Sequence, residues 1–425
     1  MEGADLDLTS WFIGFRLSSF KFSRAAVPVP TATATALNPH RRPRIQTRML
    51  VLTLLLSELL MGALAADTIT VDATSAASFG HGVVRSDFAS LSYEVSCVPT
   101  MFTHAGGPRT SFVGLMKQLQ AVNGKAGVNV RIGGNSADES AYVPQGALPD
   151  GATYRITDAD FSAYLAAAPL WNGSITPGLN FRAGSNASLE VAHATALAKA
   201  IPWQSGLVEA LEIGNECDLY PTNGYRAKTW GANDYAKEAG AVMEKLANSG
   251  VPSNRIQGAT FCCHKFDSVI PAYLDANKNK IRTLSYHEYP LNVCSKQTNT
   301  IWELLSTDRI VTPIKDIAGI IAETKARGVP FYIGEGNSVA CGGEVNVSDV
   351  FASALWAVDT LFAHAEAGVD RWNFHGCNRG ACETRGCTRS ASVTSHFHHP
   401  PPPPPSISSR SRHGNCVRDA DRRRS

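Results

Sequence analysis

The chain predicts an α/β fold in which eight parallel strands close into a (β/α)8 barrel, and three observations predict it. From residue 86 onward, eight short β-like apolar runs alternate with longer runs of helical spacing. Repeated strand–helix units imply parallel strands joined by right-handed crossovers, and eight of them close more readily than they stay open. Two of the runs lead straight into a glutamate, at the strand ends where barrels place their chemistry.

The predicted strands are 89–96, 129–132, 176–181, 210–213, 257–261, 283–286, 330–333 and 370–374. Helical spacing is clearest over 109–121, 192–200, 233–248, 310–327 and 348–367, with Asp, Ser or Thr at several starts and Gly soon after Asn248, Arg327 and Ala367. A chain of 425 residues accommodates one barrel of about 250 residues and flanking segments. Its 39 basic and 37 acidic residues give a net charge of +2, so no nucleic-acid or anionic-membrane partner is expected. The basic excess sits at the ends, in Arg41, Arg42, Arg44 and Arg48 and again in Arg422, Arg423 and Arg424.

Residues 49–65 are apolar, carry Leu52, Leu54, Leu55, Leu56, Leu59, Leu60 and Leu64, and end in Ala63-Leu64-Ala65. With the preceding arginines this reads as a secretory signal, an uncleaved anchor being the alternative. Glu58 interrupts a stretch already shorter than the ~20 residues of a span, so no stable membrane span is expected and the protein is expected to be secreted. On this reading 1–48 is a leader or an extension from an upstream start, 66–85 a short N-terminal strand segment, 86–377 the barrel and 378–425 a disordered tail. The tail holds His396-Phe397-His398-His399 and six prolines from Pro400 to Pro405, a composition that cannot bury apolar surface and gives the histidines no frame for a metal. An oxidising compartment gives meaning to ten cysteines and to the sequons at Asn172, Asn186 and Asn346. No zinc-type spacing is present; Cys217 and Cys341, close after the two glutamates, read equally as loop-tying disulfide partners or as free thiols.

The glutamates carry the chemistry. Glu212-Ile213-Gly214-Asn215-Glu216 follows the fourth strand and Tyr332-Ile333-Gly334-Glu335-Gly336-Asn337 the seventh, so Glu216 and Glu335 face one barrel mouth. Two carboxyl groups flanking one bond are what glycosidic cleavage requires, and a retaining pair stands about 5–5.5 Å apart. Arg131, at the end of the second strand, suits lowering the pKa of a nucleophile, and Asp218 suits keeping an acid protonated.

Four segments resemble glycoside hydrolase family 79, the secreted β-glucuronidases and heparanases built on a TIM barrel: Arg131-Ile132-Gly133-Gly134-Asn135-Ser136-Ala137-Asp138, Glu212 to Asp218, His287-Glu288-Tyr289-Pro290 and Gly334-Glu335-Gly336-Asn337-Ser338. The resemblance spans about residues 67–377. It implies a cofactor-free, metal-free retaining hydrolase acting on a uronic-acid-bearing glycan, with β-glucuronic or 4-O-methyl-glucuronic acid released. Other glycosidases of the same clan, heparanase-like ones included, and a non-catalytic product are the alternatives. It makes Glu216 the acid/base and Glu335 the nucleophile, and places Asn215 on the sugar 2-hydroxyl with Arg131, Asn135, His287 and Tyr289 around the substrate. Amides at Ala340 and Gly342 would hold the uronic carboxylate, a task for which the glycine-rich 338–343 turn has the backbone freedom, although the same turn reads as an ordinary loop. His287 reads equally as a structural histidine, and Tyr220, Tyr225 and Trp230 as sugar platforms or as packing. A family member would continue into an eighth helix and a β-sandwich that also uses residues 68–73. This chain departs after residue 377, so the barrel is expected to be truncated at its C-terminus and poorly stable or poorly secreted.

Overall fold

In a computed structural model the described residues are 84–376, apart from 105, 124–125, 183–186 and 296–297. The expected leader, signal and first strand segment, the sequon at Asn186, and the tail with the expected truncation lie outside them.

The eight expected strands are present, as β1 (Ala89–Glu94), β2 (Asn129–Gly133), β3 (Ser174–Leu179), β4 (Leu211–Ile213), β5 (Ile256–Phe261), β6 (Ile281–Glu288), β7 (Phe331–Gly336) and β8 (Arg371–Gly376). Each pairs in parallel with its neighbours, and β1 bonds to both β2 and β8, which closes the barrel. The main crossover helices are α1 (Thr110–Val122), α2 (Asp158–Ala167), α3 (Ser188–Ala200), α4 (Ala232–Asn248), α5 (Ile270–Asn277), α6 (Asp308–Ala326) and α7 (Phe351–Ala367). None of the described helices is long and apolar enough to cross a membrane.

Period-two alternation decides which side chains meet the helices. In β8, Trp372 and Phe374 point outward, and Trp372 packs edge-on against Trp356 of α7 with ring centroids 6.2 Å apart. Val130, Ile132, Leu211, Ile213, Leu284 and Ile333 do the same from other strands and are buried, each stabilising the fold by roughly 1.5–3 kcal/mol. At α2, Thr157 and Asp160 form a capping box, the Asp160 carboxylate accepting from the Thr157 N–H at 2.8 Å.

The inward faces are polar, and their charges are paired in layers. At the floor, Arg371 donates to Glu209 at 2.9 Å and also to Asp87. One layer up, Glu212 accepts from Arg131 Nε and from Gln257 Nε2, both at 2.6 Å. Buried ions are tolerated only when paired in this way. The interior is tight: a Cβ on Gly334 would come within 2.0 Å of Ser285 Oγ, so a larger residue there would have to displace that hydroxyl where β7 passes β6.

Candidate active site

Two backbone irregularities aim the glutamates. After β4 the chain turns through Gly214 at φ +75°, where a Cβ would meet Cys217 Sγ at 2.6 Å and Phe181 Cβ at 2.9 Å. Glu216 itself adopts φ +49°, a conformation that costs a non-glycine residue roughly 1–3 kcal/mol and collects at functional sites. In β7 the ladders shift register between Ile333 and Gly336 against β8, and Glu335 stands opposite His287 of β6. That bulge turns the Glu335 side chain into the barrel.

One carboxylate oxygen of Glu216, one of Glu335 and a ring nitrogen of His287 all lie within 4.8 Å of one another. His287 Nδ1 is 3.2 Å from Glu216 Oε1 and 3.8 Å from Glu335 Oε2, bridging the pair. Tyr289 donates its hydroxyl to Glu335 Oε1 at 3.0 Å, and Arg131 Nη1 donates to Glu335 Oε2 at 2.5 Å. Arg131 also donates from Nη2 to Asn215 Oδ1 at 2.8 Å, and Asn215 Nδ2 donates to Asn135 Oδ1 at 3.3 Å. Seven of the nine expected site residues therefore form one connected network. Both oxygens of Glu335 are already engaged by Arg131 and Tyr289, so the trio has metal-like spacing but not a free set of ligands.

Charge in the mouth is asymmetric. Burial by itself would raise the pKa of Glu335, but His375, His287 and Arg131 outweigh it and hold the carboxyl well below the usual carboxylate range. Burial lowers and Glu335 raises the pKa of His375, the second effect winning; its Nδ1 is 3.6 Å from Glu335 Oε2 and 2.9 Å from Ser92 Oγ. Glu216 is the more open of the two, its side chain 22% exposed against 10% for Glu335. Asp218 makes no hydrogen bond to Glu216, although burial first and the Glu216 charge after it raise the Asp218 pKa. Its two oxygens accept instead from the backbone N–H groups of Cys262 at 3.2 Å and Cys263 at 2.9 Å.

The two remaining expected residues lie apart. Ala340 pairs with Asn292 in a two-residue ladder, and a disulfide joins Cys341 to Cys294, which ties the 338–343 turn to the loop following Tyr289. Cys341, Gly342 and Gly343 all take positive φ, and the Gly342 and Gly343 amides have no protein acceptor among the described residues. Cys217 is a buried free thiol. Tyr220, Tyr225 and Trp230 are packing: Trp230 stacks on Tyr220 at 6.0 Å and donates its Nε1–H to Glu238, while Tyr225 packs edge-on against Tyr220.

Other residues in the site were not singled out from sequence. Glu94 accepts from the Asn135 N–H at 3.2 Å and the Ser136 N–H at 2.8 Å, fixing the loop that carries Asn135. Asp138 accepts from the Asn215 N–H at 3.1 Å and the Tyr220 hydroxyl at 2.6 Å, bracing the turn that carries Glu216. Burial pushes Asp138 up to about 7 against these hydrogen bonds, and pushes Glu190 up to about 7 as well. A carboxyl whose folded-state pKa is raised contributes stability below its unfolded pKa, and loses it as pH rises through the folded value. The melting temperature is therefore expected to fall between about pH 4 and pH 7, and Asp138→Asn to remove part of that fall at the cost of a lower plateau. A thermal-melt series across that range checks it; identical pH dependence in the variant would contradict it.

A closed eight-stranded barrel with one carboxylate past β4 and another in β7, meeting in a single mouth, has the build of a (β/α)8 glycosidase. No family model matches the chain. It is 26% identical over 320 residues to a β-glucuronidase of Aspergillus niger, covering 68% of this chain and 58% of that protein. In structure it is similar to a 4-O-α-L-rhamnosyl-β-D-glucuronidase from Fusarium oxysporum 12S, with a TM-score of 0.59 and 20% identity over 70% of this chain and 64% of that one. The chain is thus a distant homologue of the Aspergillus β-glucuronidase, and it spans less than two thirds of either relative.

Proposed function

We propose that the protein is a retaining glycoside hydrolase that releases terminal β-linked glucuronic acid, or its 4-O-methyl ether, from a glycan by double displacement. The observation that carries this is that one carboxylate oxygen of Glu216 and one of Glu335 lie within 4.8 Å of each other in one mouth, a closeness that suits a retaining pair. The names of the two relatives favour a glucuronide over a neutral sugar.

In the first displacement Glu335 attacks the anomeric carbon while Glu216 protonates the departing glycosidic oxygen. The attacking carboxylate must be ionised, which Arg131 and the histidines favour. The acid must reach a leaving group on the open side of the site, and Glu216 is the more exposed of the pair. Asn215, oriented by Arg131, donates to the sugar 2-hydroxyl as positive charge develops at the anomeric centre. In the second displacement Glu216 takes a proton from water, which attacks the glycosyl–Glu335 ester and frees the sugar. The uronic carboxylate docks on the amides of the 340–343 turn, where Cys341, Gly342 and Gly343 have positive φ and the Gly342 and Gly343 N–H groups, without an acceptor among the described residues, suit an anion. Secretion fits the Cys294–Cys341 disulfide, which calls for an oxidising compartment.

The test is hydrolysis of a chromogenic β-glucuronide beside the matching β-glucoside and β-xyloside. Turnover of the glucuronide with kcat/KM at least about a hundredfold higher is expected, because a lost charge–amide contact costs roughly 3 kcal/mol or more. Equal rates on the neutral sugars would remove the uronic-acid assignment and leave the glycosidase reading standing.

A further inference from the structure

At the rim of the same mouth β5 delivers two consecutive cysteines, Cys262 and Cys263. Thr260, the residue skipped by the β6 ladder, sits at φ +54° although it is β-branched, so the end of β5 is held in a bulge. On the other side His264 takes φ +58°, donates its N–H to the Tyr286 hydroxyl at 2.9 Å and sets its ring against Asp267 at 2.7 Å. Between these anchors the two sulfurs lie 2.6 Å apart, a short move from the ~2.05 Å of an S–S bond. Cys263 is exposed and Cys262 half-buried.

Asp218 grips both cysteine amides, and Asp218 belongs to the turn that begins at Glu216. The cysteine pair and the expected acid/base are thus two ends of one short connection. Donor atoms of Asp218, Cys262 and Cys263 fall within 4.8 Å, which is also metal-like spacing. Two thiolates on one tetrahedral zinc stand about 3.8 Å apart, however, which the 2.6 Å contact does not allow.

We propose that Cys262 and Cys263 are an oxidation site that closes to a vicinal disulfide, and that the closed ring positions the turn bearing Glu216. A low-molecular-weight disulfide serves as oxidant. The Cys263 thiolate attacks one of its sulfurs, breaking that S–S bond and releasing one small thiolate, which takes up a proton. The Cys262 sulfur, its proton lost to solvent, then attacks Cys263 and expels the second small thiolate, which is protonated in turn. Two protein thiols and one small disulfide become one protein disulfide and two small thiols, with two electrons passing to the oxidant. Asp218 and Glu216 both disfavour negative charge on the pair, and the neutral disulfide relieves that repulsion. Closure also removes freedom from the peptide that Asp218 holds. Cys262 and Cys263 are accordingly positioning residues, and their effect on turnover rests on the proposed role of Glu216, whereas their oxidation does not.

The experiment treats the full chain with oxidised glutathione or with dithiothreitol, alkylates, and reads the peptide spanning residues 262–263 by mass spectrometry. The expected oxidised peptide is lighter by two hydrogens and refuses alkylation; two alkylated cysteines in the oxidised sample would overturn the proposal, whatever the activity. In the same samples, reduction is expected to slow hydrolysis of a glucuronide with a poor leaving group by about tenfold while sparing one with a good leaving group, as misplacement of an acid would. Because dithiothreitol also reaches the Cys294–Cys341 bond, the double variant Cys262→Ser/Cys263→Ser is run in parallel. A leaving-group-dependent redox response that persists in that variant would refute the positioning role.

Discussion

Glu335→Ala is expected to lower kcat on a β-glucuronide by about ten-thousand-fold or more, with little change in KM, because Glu216 is committed to proton transfer and no other described carboxylate stands where Glu335 does to form the glycosyl ester. Added azide or formate should return part of the lost turnover by attacking from the side that Glu335 had occupied, and should give a product of inverted anomeric configuration. Glu216→Ala should behave differently. It removes the proton donor, so a poor leaving group is slowed by about a hundredfold to ten-thousandfold, whereas a nitrophenolate, which departs unprotonated, is slowed far less. Steady-state rates on a series of aryl glucuronides check both statements. If Glu216→Ala slowed every member equally, or if small anions gave the inverted product with Glu216→Ala and not with Glu335→Ala, the two roles would have to be exchanged or abandoned.

What was legible before the fold was known follows from how local each signal is. All eight strands were readable because each is a short apolar run bounded by turn residues, and α4, α6 and α7 because their apolar positions repeat with helical spacing. Helix α2 was harder to read: Phe161, Ala163, Tyr164 and Ala167 are buried while Ala159 and Leu165 are exposed, so apolar residues stand on both faces instead of along one stripe. The end of β7 was misjudged by three residues because a bulge leaves no mark on sequence alternation, yet that bulge is what brings Glu335 inside. The two glutamates themselves stood out as acids directly after apolar runs. Their supporting groups did not, since Glu94 acts on residues some 41 positions away and Asp138 on a turn 77 positions away. Glu212 and His375 offered a weaker signal that went unused: each is a polar residue on the inward phase of a strand whose outward phase is apolar, which in a closed barrel means a buried and therefore paired group.

Arg131→Met is expected to destabilise the fold by about 3–5 kcal/mol, because it strands Glu212 and Glu335 in the barrel without their shared cation. Urea or thermal unfolding measures this. The pH dependence has a defined sign. A carboxyl with a depressed folded-state pKa, such as Glu335, contributes stability that is present above its unfolded value of about 4.3 and is lost as pH falls through the lower folded value. Removing Arg131 raises that folded value, so the acid side of the stability curve moves up in pH; His375 and His287 remain and keep the shift partial. Adding Glu212→Gln should recover much of the stability, since one stranded charge is gone and the side chain can still bond Gln257. It should not recover activity, because Glu335 and Asn215 still lack the guanidinium that ionises the one and orients the other. The double variant therefore separates structure from catalysis: a folded protein whose acid limb of kcat/KM has moved to higher pH supports Arg131 as the group holding Glu335 ready to attack. A folded double variant with an unshifted limb would assign that task to the histidines alone.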